Sequence, residues 1–349
     1  MRIAPVNYNN SIVQYILYLF ISALTIFLVS RRSIKSSISS VDASYLCDIN
    51  SSTRVSSTRR DVVLLFATNF APGLELCIKS LRSTGSECRI VLFCAPGFVF
   101  SRYLQRLLQA MRVEVVPDCV ETKNRPYVPH MLRFEYELDW LKKHRYGYKG
   151  NTTKSFNSFL NSNDNDDDDT LDRIFHTDSF DVFFQGDPFE YIPHDSLTFV
   201  VEPHQFRSCG WNLGWLTECY DGGVVSRMTH NFIICSGSIA GSIDHYIKLL
   251  ELMIQQSAWS RCYKPSMDQP ILNYLVWNGD VAKEGINYHL TGCDDGFLTV
   301  QWCVLENKPL YNDHGQIIST MKSVPSYIHQ YNRLAPMMNR LYKQCHIPI

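Results

Sequence analysis

Short apolar runs alternate along this chain with stretches whose apolar residues recur at helical spacing. Residues 61–70 read Asp-Val-Val-Leu-Leu-Phe-Ala-Thr-Asn-Phe, an unbroken apolar run that ends in polar residues, as a strand buried on both faces does. Pro72 and Gly73 then open a helix that closes near Ser83, proline being suited to a first helical turn. Residues 89–94 and 113–116 repeat the strand pattern, and between them Leu104, Leu107, Leu108 and Met111 share one face of a helix. Strand and helix in alternation predict a parallel sheet with helices on its faces. Over residues 131–141, Met131, Phe134, Leu138 and Leu141 recur at helical spacing and leave Arg133 and Glu137 on other faces. Residues 196–201 predict a further strand, and residues 243–255 a helix that packs on the sheet. The stretch Gly210-Trp-Asn-Leu-Gly-Trp215, with Asp221-Gly222-Gly223, predicts an irregular aromatic loop region.

The ends of the chain add a membrane to this picture. Residues 11–30 are apolar and uncharged, and about 20 such residues cross a bilayer as a helix. After a short tail over residues 1–10, they read as a transmembrane signal anchor, with a cleaved signal peptide as the alternative because Ala23 and Ser30 are small. Arg31, Arg32 and Lys35 outnumber Arg2, which by the positive-inside tendency would place the following chain in the cytosol. Twelve cysteines argue the other way, for an oxidising lumen. No Cys-x-x-Cys occurs among them, so zinc and thioredoxin-like motifs fall away; disulfides and buried thiols remain, with pairing open. Sequons at Asn50 and Asn151 agree with lumenal exposure. The serine-rich residues 31–60 read as a stem, and residues 61–349 as one catalytic domain. Within it, residues 150–170 form an acidic low-complexity loop; Phe175 stands where a calcium-binding loop would need its final carboxylate. With 33 basic and 34 acidic residues, no basic face is available for a nucleic acid.

The chemistry concentrates in residues 178–189, Asp-Ser-Phe-Asp-Val-Phe-Phe-Gln-Gly-Asp-Pro-Phe, which follow the apolar Arg-Ile-Phe-His-Thr. Asp178 and Asp181, three positions apart at a strand exit, can face one hard divalent cation such as Mn²⁺ or Mg²⁺. The alternative is that Asp178 caps a turn and Asp181 is solvated. Asp187, before Pro188, suits a turn and is read as structural.

The pattern Asp-x-x-Asp-x-x-Phe-Gln-x-Asp-Pro-Phe after an apolar strand resembles the metal-binding signature of a group of GT-A glycosyltransferases that use nucleotide-sugar donors. Three later stretches agree in order: residues 235–241 resemble the family's Asn-Ser-Gly-x-x-x-Gly, residues 268–273 its Asp-Gln-x-x-x-Asn, and residues 328–333 its His-Gln-Tyr-Asp-Arg. The likeness spans roughly residues 61–335. Cys235 departs from the family's Asn, and Asn332 from its acidic residue. The resemblance implies a Rossmann-like GT-A domain of α/β class, a mixed and mostly parallel sheet flanked by helices. It implies a metal site of Asp178, Asp181 and His329, donor contacts from Asp178, Arg133, Ser236 and Gly237, and catalytic work by Asp268 and Gln269. Arg133 is otherwise an exposed helix arginine and Asp268 a helix N-cap. Arg333 or Lys322 is a candidate for the donor diphosphate. The aromatic loop region suits sugar stacking or core packing. The expected function is transfer of a sugar from a nucleoside diphosphate, UDP above others, to a glycan or glycoprotein. The expected setting is a single-pass type II protein of the Golgi or endoplasmic reticulum. Retention or inversion stays open, the resemblance leaning to retention. Alternatives are a divalent-metal phosphohydrolase and an inactive carbohydrate-binding membrane protein of the same fold.

Overall fold

Strand β1 (Val62–Ala67) carries no polar side chain and is buried along its length, as a strand inside a sheet covered on both faces must be. A computed structural model of the protein describes residues 41–146, 170–293, 295–304 and 309–348. The chain divides into two units, Met1–Asp42 and Ala43–Ile349, and every element below belongs to the second. The tail and anchor expected over residues 1–30, the first part of the stem, Asn151 and nearly all of the acidic loop lie outside the described residues. Among the described residues, no helix is long and apolar enough to cross a membrane.

From β1 the chain passes through α1 (Pro72–Ser83) to β2 (Arg89–Cys94), then through α2 (Arg102–Ala110) to β3 (Val113–Val116). Helix α3 (Pro129–Tyr146) comes next, and β4 (Arg173–Thr177) lies on the opposite side of β1 from β2. There follow β5 (Val182–Phe184), β6 (Leu197–Gln205), α4 (Gly210–Cys219), α5 (Gly222–Met228), β7 (Phe232–Ser242), α6 (Ile243–Gln255) and α7 (Asp268–Trp277). Then come β8 (Tyr288–Thr291), β9 (Phe297–Thr299), the ribbon of β10 (Leu310–Tyr311) and β11 (Ile317–Ile318), β12 (Tyr327–His329) and α8 (Ala335–Gln344).

Seven strands form the main sheet in the order β3-β2-β1-β4-β7-β6-β8. Strand β7 is antiparallel to both its neighbours and all other pairs of this sheet are parallel, so the sheet is mixed and mostly parallel, as the resemblance implied, rather than wholly parallel, as the strand-helix alternation predicted. The strand order reverses at β1, with β2 on one side and β4 on the other. Such a reversal opens a crevice beyond the C-terminal strand ends, where ligands of α/β sheets bind. A smaller sheet, β5-β12-β9, has its own core of Phe183, Leu298, Ile328, Tyr331 and Leu341. The main core packs Leu64, Val91 and Ile174 against Phe134 of α3 and Tyr246 of α6. The segment between β4 and β5 therefore passes from one core to the other across the crevice.

Two expectations are corrected. The aromatic stretch expected as an irregular loop is helical, forming α4 and α5. Asp221 caps α5 by accepting from the amides of Gly223 and Val224 at 2.9 and 3.0 Å. Burial of Leu216 and Cys219 on α4 overrides the poor helix propensity of Gly210 and Gly214. The other correction concerns α3, where Arg133 and Glu137 are buried rather than turned outward. Elsewhere the compact unit takes in the end of the segment read as stem. Cys47 is disulfide-bonded to Cys345, and the amides of Ser56 and Ser57 donate to Asp187 at 2.8 and 2.7 Å. Asp187 also caps the turn at Pro188–Glu190, in keeping with its structural reading. Cys293 pairs with Cys303, and the other eight cysteines are buried thiols.

The Cys47 to Cys345 bridge closes a loop of 298 residues, so it removes much of the freedom of the unfolded chain. Its loss through Cys345→Ser should destabilise the unit by about 2–4 kcal/mol and lower the melting temperature in calorimetry. An unchanged melting curve, with free thiols at both positions of the parent chain, would show that the bridge does not form.

Candidate metal centre

Strand β4 ends at Thr177, and the chain leaves the sheet through Asp178, Ser179, Phe180 and Asp181 before β5 begins. A hydrogen bond pins this loop at every residue. The Asp178 amide donates to the Gly237 carbonyl at 3.0 Å, and the Gln330 amide donates to the Asp181 carbonyl at 2.8 Å. The Ser179 hydroxyl donates to the Phe66 carbonyl at 2.8 Å and accepts from the Phe66 amide at 3.0 Å. The Tyr331 hydroxyl donates to the Phe180 carbonyl at 3.2 Å. Helix α1 closes over the loop so tightly that a Cβ on Gly73 would overlap the Phe180 carbonyl. Both carboxylates are thus set by backbone geometry.

Strand β12 brings the third group. It pairs with β5 and β9 so that His329 lies opposite Val182 and beside Thr299. His329 Nε2 then stands 3.3 Å from Asp178 Oδ2 and 3.6 Å from Asp181 Oδ1. One ligand atom from each of the three residues lies within 4.8 Å of the others. The imidazole is 1% exposed, whereas the Asp178 and Asp181 side chains are 36% and 19% exposed, so the open side of the cluster is the carboxylate side. Two details fit a cation. His329 Nε2 is buried and makes no hydrogen bond, although it faces two carboxylate oxygens. A Cβ on Gly237 would lie 2.6 Å from Asp178 Cγ, 2.9 Å from Oδ1 and closer still to Oδ2, so only glycine leaves room for this carboxylate. Two carboxylates and one imidazole around a shared opening suit a divalent ion.

Helix α3 supplies the counter-charge. Arg133 Nη1 donates to Asp178 Oδ1 at 2.6 Å and Nη2 to Asp268 Oδ2 at 3.0 Å. One turn later, Glu137 accepts from the Tyr246 hydroxyl at 2.7 Å and pairs with His176 Nδ1 at 2.9 Å. This buried network locks the face of α3 from which Arg133 reaches the loop. Helical periodicity sends polar residues outward, and here the polar partners lie inside.

Helix α7 is tied to β7. The Asn273 amide pairs with both backbone groups of Ile234 at 2.8 Å. Gln269 Oε1 accepts from the amide and hydroxyl of Ser236 at 3.1 and 3.2 Å, and its Nε2 donates to Asn212 of α4 at 2.5 Å. Met267, not Asp268, is the N-cap of α7, so the capping alternative for Asp268 does not hold. Asp268 Oδ1 is buried and makes no hydrogen bond.

Burial pushes the Asp178 carboxyl up, but the Arg133 guanidinium and the His329 ring outweigh it and hold it well below the ordinary carboxylate range. Burial likewise pushes His329 down, and Tyr327, Cys235, Asp181 and Asp178 reverse this and hold it well above the ordinary imidazole value. Tyr327 and Cys235 are themselves raised by burial and are neutral near pH 7, so the two carboxylates carry the effect. An ion arriving at Nε2 therefore displaces a proton.

All eight residues singled out from the sequence, Arg133, Asp178, Asp181, Ser236, Gly237, Asp268, Gln269 and His329, meet around this crevice. Arg333 and Lys322, the two candidates for the diphosphate, are exposed. Cys235, at the family's Asn position, stands with Sγ 3.7 Å from His329 Nδ1, and Asn332 is exposed. Sequence reasoning missed Glu202 of β6, a buried carboxyl that burial pushes up to about 7 while His329 and Arg333 draw it back. An acidic residue inside an apolar strand, Val-Val-Glu, was the available signal. No protein-family model matches the chain, and no curated protein matches it.

Gly237→Ala should displace the Asp178 carboxylate and weaken Mn²⁺ binding at least about tenfold in calorimetric titration, as loss of a ligand's support does. Unchanged affinity would separate Asp178 from the ion. For the parent chain, the raised His329 value means that affinity falls as pH falls, by about tenfold per pH unit while the ring is protonated. Affinity that does not change with pH would show that Nε2 is not a ligand.

Proposed function

We propose that this chain is a metal-dependent glycosyltransferase of GT-A type. It moves a sugar from a nucleoside-diphosphate sugar, UDP above others, to a glycan or glycoprotein acceptor. The observation that carries this reading is convergence. The four stretches that resemble the family, at residues 178–189, 235–241, 268–273 and 328–333, are far apart in sequence, yet their polar residues line one crevice at the switch point of a mixed α/β sheet.

Asp178, Asp181 and His329 would hold the cation, Mn²⁺ or Mg²⁺, which when bound offsets the charge that grows on a departing diphosphate. Arg133 fixes the orientation of Asp178 and Asp268 together, so the metal and sugar ends of the donor are set by one side chain. Asp268 Oδ1 is the free acceptor next to that point and takes a hydrogen bond from a sugar hydroxyl. Gln269 holds Ser236, whose backbone continues into the Gly237 opening beneath Asp178. The two disulfides suit an oxidising lumen, and with the apolar residues 11–30 they support a type II protein of the Golgi or endoplasmic reticulum.

The test is a panel of nucleotide sugars with Mn²⁺ and the purified full-length chain. One sugar should be transferred or hydrolysed, UDP should bind, and simple phosphoesters should not turn over. Asp181→Asn should abolish turnover with the fold intact. His329→Ala should raise the Mn²⁺ needed for half-maximal activity, while Asp268→Asn should lower turnover with metal and UDP affinity nearly unchanged. Phosphoester hydrolysis without UDP binding would assign the centre to a phosphohydrolase instead.

A further inference from the structure

A histidine binds a cation through one ring nitrogen only if the other carries the proton, and hydrogen bonds to that other nitrogen decide which tautomer forms. His329 Nδ1 lies 3.4 Å from the Ser238 hydroxyl. Ser238 Oγ lies 2.8 Å from the Tyr327 hydroxyl, which lies 2.7 Å from the Thr177 hydroxyl. The Thr177 hydroxyl donates to the Asp178 carbonyl at 3.2 Å. All four side chains are at most 1% exposed, so water does not compete for these bonds.

The direction of this chain follows from its last member. A carbonyl oxygen only accepts, so the Thr177 proton is used on Asp178 and the Thr177 oxygen must accept from Tyr327. Apart from the two hydroxyls, the acceptor that Tyr327 reaches among the described residues is also a carbonyl, that of Gly237 at 3.5 Å. Either way the Tyr327 proton points away from Ser238. Ser238 then donates to Tyr327, and its oxygen is left to accept from Nδ1. The reverse direction would forfeit the bond to the Asp178 carbonyl.

We propose that Ser238, Tyr327 and Thr177 form a one-way hydrogen-bond chain that locks neutral His329 as the Nδ1-protonated tautomer, leaving the Nε2 lone pair for a divalent cation. The three are positioning residues, and the inference rests on the metal-centre reading above. It also explains how the centre tolerates Cys235. A thiol sulfur accepts only weakly, and with the serine hydroxyl at the same nitrogen the tautomer does not depend on residue 235. The chain begins beside one ligand, Asp178, and ends on another, His329, so strands β4, β7 and β12 set the two in common.

Two readouts on the full-length chain test this. The first is ¹⁵N NMR of the histidine ring, with His329 assigned by its loss in His329→Gln, recorded without divalent cations at alkaline pH where the ring is neutral. Nδ1 should be protonated and Nε2 not, and Tyr327→Phe, which keeps the ring volume, should give a mixture. The second is the Mn²⁺ dissociation constant. It should rise about 10- to 100-fold in Tyr327→Phe and in Ser238→Ala and stay near the parent value in Ser238→Thr. A protonated Nε2 in the parent, or Tyr327→Phe with unchanged tautomer and Mn²⁺ affinity, would overturn the proposal. An Nδ1-protonated parent that binds no Mn²⁺ would leave the hydrogen-bond chain standing and remove the metal-centre reading.

Discussion

The site depends on one guanidinium. Asp178 and Asp268 come from different segments, and two carboxylates that share one site repel each other unless a cation stands between them. Arg133 bonds to both at once, with one nitrogen for each. Removing its charge would leave Asp268 buried and uncompensated, a loss of about 3–5 kcal/mol for a buried pair. The share from Asp178 is smaller, because its side chain is partly open to water and screened. Arg133 can do this only while α3 keeps its rotation, which the buried Glu137, His176 and Tyr246 network fixes one turn away.

From that constraint the remaining geometry follows. Asp178 is bonded to Arg133 through Oδ1, and this turns Oδ2 toward His329 Nε2, 3.3 Å away. Gly237 supplies the space and the carbonyl that accepts from the Asp178 amide. The charge is only partly balanced within the cluster: Asp181 faces the His329 ring without a guanidinium of its own among the described ion pairs. A protonated imidazole balances it in one state, and under the proposed metal site a divalent cation would do so in the other, with proton and ion competing at the same nitrogen.

The first two strands of the main sheet were legible because they are almost uniformly apolar, whereas Phe232–Ser242 and Tyr288–Thr291, which mix polar and apolar residues, were not read as strands. Residues 62–67 and 90–94 are buried on both faces, and an apolar run has no other stable place in an α/β chain. The candidate triad was legible through short motifs, since close spacing and backbone geometry keep Asp178 near Asp181. What failed did so for physical reasons. Periodicity treats Arg133 and Glu137 as surface residues, because it weighs apolar contact and carries no information about a polar partner 39 or more positions away. Local propensity reads Gly210 and Gly214 as breakers, while burial of Leu216 and Cys219 decides the outcome. The pairing of Cys47 with Cys345 and the burial of Glu202 depend on which segments lie side by side, which spacing does not encode.

Anomalous diffraction from crystals of the protein grown with Mn²⁺ and UDP tests the central claim most directly. One manganese peak is predicted in contact with Asp178, Asp181 and His329 Nε2, with the UDP diphosphate on the open carboxylate side and Arg133 still joined to Asp178 and Asp268. No manganese at these three residues under saturating Mn²⁺, or an ion held elsewhere with His329 bonded only to protein, would contradict it.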